Sequence, residues 1–175
     1  MNVDAVSLFF ALLALVAEIG VGGMIVALAI PSVRASLIAA VGPVALPLAA
    51  IVAIVSMAGS LYFSEVAHFT PCKLCWYQRI AMYSLAVILP VAAARKDGLV
   101  RRYAAPLAAI GAVIAGYHIL VERYPNLETS ACDPANPCSL VWVKRLGYLT
   151  IPTMALSGFA AILTLLAVRR RWDAS

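Results

Sequence analysis

Charge is what this sequence of 175 residues lacks most. Only 12% of its residues are Asp, Glu, Lys or Arg, against ~25% in a soluble domain. Apolar residues make up 64%, against ~45–50%. That balance excludes a soluble globular domain, and it equally excludes a disordered chain. Ten glycines and ten prolines, with no period, exclude collagen-like and low-complexity sequence. There is no internal repeat and no phosphate-binding loop. What is present is grease, with mean hydropathy +0.97. The composition fits a polytopic membrane protein, and once its spans are counted no room is left for a separate soluble domain.

Five apolar stretches are long enough to cross a bilayer as helices: Val6–Ile30, Val41–Phe63, Cys75–Ala94, Tyr103–Val121 and Leu149–Val168. None alternates with the period of two that marks an outer-membrane strand. The net charge of +5 comes from basic residues at the ends of these runs, so it reads as a topology signal and not as a nucleic-acid surface. With the N-terminus outside, Arg34, Arg95, Lys96, Arg101, Arg102, Arg169, Arg170 and Arg171 fall inside. Lys73, Arg123, Lys144 and Arg145 fall outside, and Arg79 lies within the third span. The positive-inside rule therefore predicts a cytoplasmic C-terminus. A cleaved signal peptide fits the first stretch poorly, because Asp4 is its only early charge and its apolar run is too long. This orientation puts all four cysteines on the oxidising, extracytoplasmic side, where disulfides persist.

Cys72 and Cys75 form a Cys-x-x-Cys at the start of the third helix, preceded by Pro71. Helix N-termini stabilise thiolates, and a disulfide between cysteines three apart closes a loop too small to gain much from closure. The pair therefore reads as redox-active. Cys132 and Cys138 enclose two prolines and an Asn, a turn that suits a small disulfide ring. They sit in the polar loop Glu122–Gly147, which a partner protein can reach. Arg79, four residues past Cys75, shares its helix face one turn deeper. An ionisable residue there is costly and marks function or a snorkelling anchor. Its charge suits electron transfer from a dithiol to something dissolved in the bilayer, for which a quinone is the obvious candidate.

The run Cys72-Lys73-Leu74-Cys75-Trp76-Tyr77-Gln78-Arg79, followed by Ile80-Ala81-Met82-Tyr83, resembles the signature of the disulfide bond formation protein B (DsbB) family, especially its short-loop BdbC versions. Gly116-Tyr117-His118 with Tyr124-Pro125 resembles the segment ahead of that family's second cysteine pair. The likeness covers about residues 44 to 168. It implies an all-α, polytopic membrane four-helix bundle, here residues 41–175, to which the first apolar run adds one additional N-terminal transmembrane helix and cytoplasmic turn in residues 1–40. It also implies a bacterial cytoplasmic-membrane enzyme that reoxidises a DsbA-like thioredoxin-fold thiol oxidase and passes electrons to ubiquinone or menaquinone. By motif, Cys132 takes the partner's attack as a mixed disulfide and Cys138 exchanges with Cys72. Cys75 contacts the quinone with Arg79 beside it, and His118 lies near the quinone headgroup. The chain departs from the usual family pattern in its additional helix, which carries Glu18, and in the close spacing of Cys132 and Cys138.

Three alternatives stand beside this reading. One is a quinone-linked reductase of the vitamin K epoxide reductase type. Another is a non-enzymatic bundle held by structural disulfides. The third is a Cys₄ zinc site, for which the loop spacing is unusual. Glu18 is expected to pair with a neighbouring helix or to lie near a boundary. Gly20, Gly22 and Gly23 suggest close helix packing or a kink. Trp142 and Trp172 read as interfacial aromatics.

Overall fold

The computed structural model describes residues 2–129 and 132–174. Five helical stretches among them are long and apolar enough to cross a membrane. Helix α1, Val3–Ala29, starts at Asn2, whose side chain accepts a hydrogen bond from the Asp4 amide at 3.0 Å. It stops because Pro31 forces Ile30 into extended geometry (φ −92°, ψ 112°), and the same proline opens α2, Pro31–Val41. A short 3₁₀ turn at Gly42–Val44 leads into α3, Ala45–Leu61. The segment expected to be a cytoplasmic turn is thus helical, and helical structure runs from Pro31 to Val66 through that 3₁₀ turn.

At its far end α3 widens into a π-helical turn, Tyr62–Val66. His68 then adopts a left-handed φ of 57°, and the chain doubles back to α4, Lys73–Arg95. Lys96, also left-handed at φ 54°, ends α4 before α5, Arg101–Arg123. The cysteine loop follows. It closes in a minimal hairpin of β1, Lys144–Arg145, with β2, Leu149–Thr150, paired antiparallel around the left-handed Leu146 and Gly147. Helix α6, Ile151–Asp173, completes the chain.

Helices α3 to α6 form an all-α four-helix bundle, with α1 laid against α6. Small residues let the backbones approach. Ala45, Ala49 and Ala53 are fully buried on one face of α3, as are Ala104, Ala108 and Ala115 on α5. Gly111 is the tightest point, since a Cβ there would lie 2.3 Å from the Phe159 ring. Phe159, Leu85, Leu89 and Ile162 fill the space between.

Polar contacts at the cysteine end hold α1. Arg145 pairs with Asp4 and donates from Nε to Ser7 Oγ at 2.9 Å. Glu18 does pair with a neighbouring helix, accepting from Ser157 of α6 at 2.8 Å, and also from the Tyr148 hydroxyl at 2.6 Å. The three glycines of α1 do not mark close packing or a kink. A Cβ at Gly20, Gly22 or Gly23 would meet nothing within 4 Å, and α1 runs unbroken through them. The fully buried residues of α1 lie in its first half, at Ser7, Ala11 and Ala14; beyond them Met24 packs on the core while the glycines beside it touch nothing.

Candidate functional site

Cys72 is the N-cap of α4. Its extended backbone (φ −71°, ψ 174°) lets Sγ accept from the Cys75 amide at 3.4 Å. The two sulfurs lie 3.2 Å apart as a dithiol. Cys132 and Cys138 are joined in a disulfide. That bond takes both loop sulfurs out of metal ligation, so the two pairs do not form a Cys₄ cage. Cys72, Cys132 and Cys138 instead pack into one buried cluster with Leu74 and Val121, bordered by Cys75 and Tyr117.

His118 joins the pairs. Its Nδ1 lies 2.9 Å from the Gln78 amide nitrogen. An amide NH₂ only donates, so Nδ1 accepts and the proton sits on Nε2. That Nε2–H is 2.9 Å from the Cys138 carbonyl oxygen and 3.7 Å from Cys72 Sγ. The imidazole is 2% exposed, a buried donor shared between the dithiol and the loop. The loop is tied down elsewhere as well. Glu128 accepts from the Cys138 amide at 2.6 Å and from the Ser139 hydroxyl at 2.8 Å. Asn136 donates to the Pro71 carbonyl at 3.1 Å, fastening the ring directly ahead of Cys72.

These contacts set the chemistry of Cys72. The Cys75 thiol donating to its sulfur is the largest influence and holds the Cys72 pKa well below the ordinary thiol range. Burial opposes this, and His118 adds to it. Cys72 is therefore the thiolate of the pair, the form that attacks disulfides and leaves them fastest.

Arg79 is anchored on α3. Its Nε donates to Ser60 Oγ at 2.9 Å and a terminal nitrogen to the Ser60 carbonyl at 2.8 Å. Trp76 and Tyr83 lie against the guanidinium, which is 5.1 Å and 5.9 Å from their ring centroids. Both donors thus end on the last turn of α3, and the cation is desolvated but satisfied.

Beside Arg79 opens a cavity of about 390 Å³ between α1, α3, α4 and α6. Its wall is mostly apolar, and Cys75, Gln78 and Arg79 of α4 and Ser56 and Ser60 of α3 are among the polar residues that line it. A more open hollow of about 410 Å³ lies away from the cysteines, between the start of α1 and Tyr62, and a much smaller cavity of about 20 Å³ is lined by Cys72, His118 and Glu122. Cys75 borders both the large cavity beside Arg79 and the small one, whereas Cys72 and His118 border only the small one. His118, expected near a quinone headgroup, thus stands at the junction of the cysteine pairs and not on the large cavity. Trp142, expected in an interfacial belt, stacks on Phe69 with centroids 4.9 Å apart and lines the large cavity. Sequence reasoning also passed over Gln78, which fixes the His118 tautomer, and Glu128, which clamps Cys138. Gln78 stood in the quoted motif, one position before Arg79. Nothing local in the sequence marks Glu128.

Membrane-spanning helices carrying one dithiol and one disulfide in contact define a membrane thiol–disulfide oxidoreductase. Comparison with known proteins agrees. The family model described as "Disulfide bond formation protein DsbB" matches residues 42–168, and the chain belongs to that family. It is 44% identical to disulfide bond formation protein C of Bacillus subtilis over 114 residues, 65% of this chain and 83% of that protein. It is 44% identical to a probable disulfide formation protein of Deinococcus radiodurans over 142 residues, 71% of this chain and 87% of that one. No solved structure matches.

Proposed function

We propose that the protein oxidises a soluble extracytoplasmic dithiol protein of the DsbA-like thioredoxin fold and delivers the electrons to ubiquinone or menaquinone. One observation carries this reading. The two cysteines of the helix-start pair face different surroundings, Cys72 toward the loop disulfide and Cys75 toward the large apolar cavity. A relay needs that arrangement, with exchange on one side and electron delivery on the other.

A thiolate of the partner attacks Cys132, breaking the Cys132–Cys138 bond and releasing Cys138 as a thiolate. The partner's second thiolate then closes its own disulfide and releases Cys132. Cys138 attacks Cys72 of the oxidised helix pair, Cys75 leaves, and Cys132 then reforms the bond to Cys138 and frees Cys72. The net result is an oxidised partner and a Cys72/Cys75 dithiol. Its Sγ–Sγ bond reforms as two electrons and two protons leave across the Cys75 side. The His118 Nε2–H stabilises thiolate at Cys72, while Glu128 and Asn136 hold Cys138 within reach.

The large cavity suits a quinone. Its volume falls within the ~300–1,000 Å³ of small-molecule sites, its lining is mostly apolar, and Cys75, Gln78 and Arg79 are among the few polar groups on it. Bound there, the quinone supplies a two-electron, two-proton acceptor. Arg79 then presents a fixed cation to the oxygen that gains charge, and Cys75 presents the sulfur. In this reading the cysteine end is extracytoplasmic. The basic cluster at the opposite end, Arg95 to Arg102 with Arg169 to Arg171, supports that by the positive-inside rule.

The test is Arg79→Ala in detergent-purified protein. Turnover of a soluble quinone falls by at least tenfold, while exchange between the partner and Cys132–Cys138 keeps its rate. Equal loss of both would reject the division of labour.

A further inference from the structure

We propose that α1 is a lateral wall of the large cavity and sets which isoprenoid quinone is held there and how tightly, with Glu18 keying α1 in place. The inference rests on the reading that the cavity takes a quinone, and it concerns a segment outside the matched family region, which begins at residue 42.

Phe10, Leu13, Ala14, Val16 and Ala17 all line the cavity. Their spacing puts them on one stripe of α1. The rest of the lining comes mainly from α3, α4 and α6, so α1 closes a groove that those helices would otherwise leave open on its side. The stripe is graded. Ala14 is buried, Leu13 is 38% exposed and Val16 is 66% exposed, so the wall runs from the interior to the bilayer-facing mouth. An apolar tail leaves the cavity over Leu13 and Val16.

A wall must hold its rotation, and the polar contacts of three residues fix that of α1. Ser7 and Asp4 are held by Arg145. Glu18 sits next to Ala17, and each of its carboxylate oxygens takes one hydroxyl, from Tyr148 and Ser157. A carboxylate in a spanning helix is costly unless satisfied. Here the neighbours that satisfy it lie just before α6 and about two turns into it, so the satisfied rotation of α1 is the one that turns Phe10–Ala17 inward. Phe10 locks the same register by filling the notch over Gly59, where a Cβ would lie 2.8 Å from its ring.

The test is quinone binding read by tryptophan fluorescence, independently of turnover. Trp142 lines the cavity and Trp76 packs on Arg79, so a bound short-tail ubiquinone quenches both. Ala17→Phe, which fills the wall, raises the apparent Kd at least tenfold. Leu13→Ala, which adds no bulk, raises it about threefold for a long-tail quinone and less for a short-tail one. Glu18→Leu weakens binding of both. The rate at which dithiothreitol opens Cys132–Cys138 is measured in each variant to show that the fold is intact. Wild-type protein that binds quinone, with all three variants matching it, would overturn the role of α1 alone. Wild-type protein that binds no quinone would remove the functional reading and this inference with it.

Discussion

Replacing His118 by alanine tests how the two cysteine pairs communicate. The His118 Nε2–H lies 3.7 Å from Cys72 Sγ, long for a hydrogen bond even to sulfur, and it also serves the Cys138 carbonyl at 2.9 Å. Hydrogen bonds to charged groups contribute about 1.5–3 kcal/mol, and a long, shared one belongs at the lower end. At ~1.4 kcal/mol per pKa unit, losing it moves the Cys72 pKa up by about one unit. The sign follows from the charge. Cys72 has a lowered pKa, so its thiolate persists at neutral pH and is lost only as pH falls through that lowered value. In His118→Ala the loss begins about one unit higher. On the falling limb the thiolate fraction drops about tenfold, and the more basic sulfur recovers part of this through higher nucleophilicity (β about 0.4–0.5). The net effect is a rate about threefold slower. The assay is iodoacetamide alkylation of Cys72 against pH, followed by peptide mass. Gln78→Leu, which releases the His118 tautomer, shifts the midpoint in the same direction by less. An unchanged midpoint in His118→Ala would refute the assignment of the Nε2 proton and its role at Cys72.

Other expectations follow from single contacts. Glu128→Ala removes both bonds that hold Cys138 and Ser139, so dithiothreitol opens Cys132–Cys138 at least threefold faster in a timed thiol-trapping assay. Gly111→Ala drives a Cβ into the Phe159 ring and lowers stability by about 1–3 kcal/mol, seen as a lower thermal midpoint in detergent. Arg79→Lys keeps the charge but cannot reproduce the fork onto Ser60, so it recovers only part of the quinone turnover lost in Arg79→Ala.

Much of the bundle was legible because spanning a bilayer is a one-dimensional demand. Runs of apolar residues identify helices whatever they pack against, and all five spans appear where those runs lie. The Cys-x-x-Cys was legible for a similar reason. Its spacing, with Pro71 before it, already specifies a helix start, and Cys72 is the N-cap. What was not legible depends on which way a helix is rotated. The glycines of α1 suggested packing, but they fall beyond the segment that Asp4, Ser7 and Glu18 hold to the bundle. His118 was named by motif, and the direction its ring takes, toward Gln78 and the Cys138 carbonyl, depends on partners distant in sequence. Trp142 sits in an irregular loop whose path is set by Asn136, Glu128 and the Phe69 stack, contacts between residues distant in sequence.

The central claim is that electrons pass from a soluble dithiol, through both cysteine pairs, to a quinone. The most direct measurement mixes a reduced thioredoxin-fold partner with the purified protein and a soluble quinone, without oxygen, and follows quinone absorbance and free thiols together. The account predicts one quinone reduced for every two thiols oxidised by the wild type. In Cys75→Ser it predicts no quinone reduction, although the partner still exchanges with the loop disulfide. Quinone reduction by Cys75→Ser at the wild-type rate, or thiol oxidation with no quinone consumed, would contradict it.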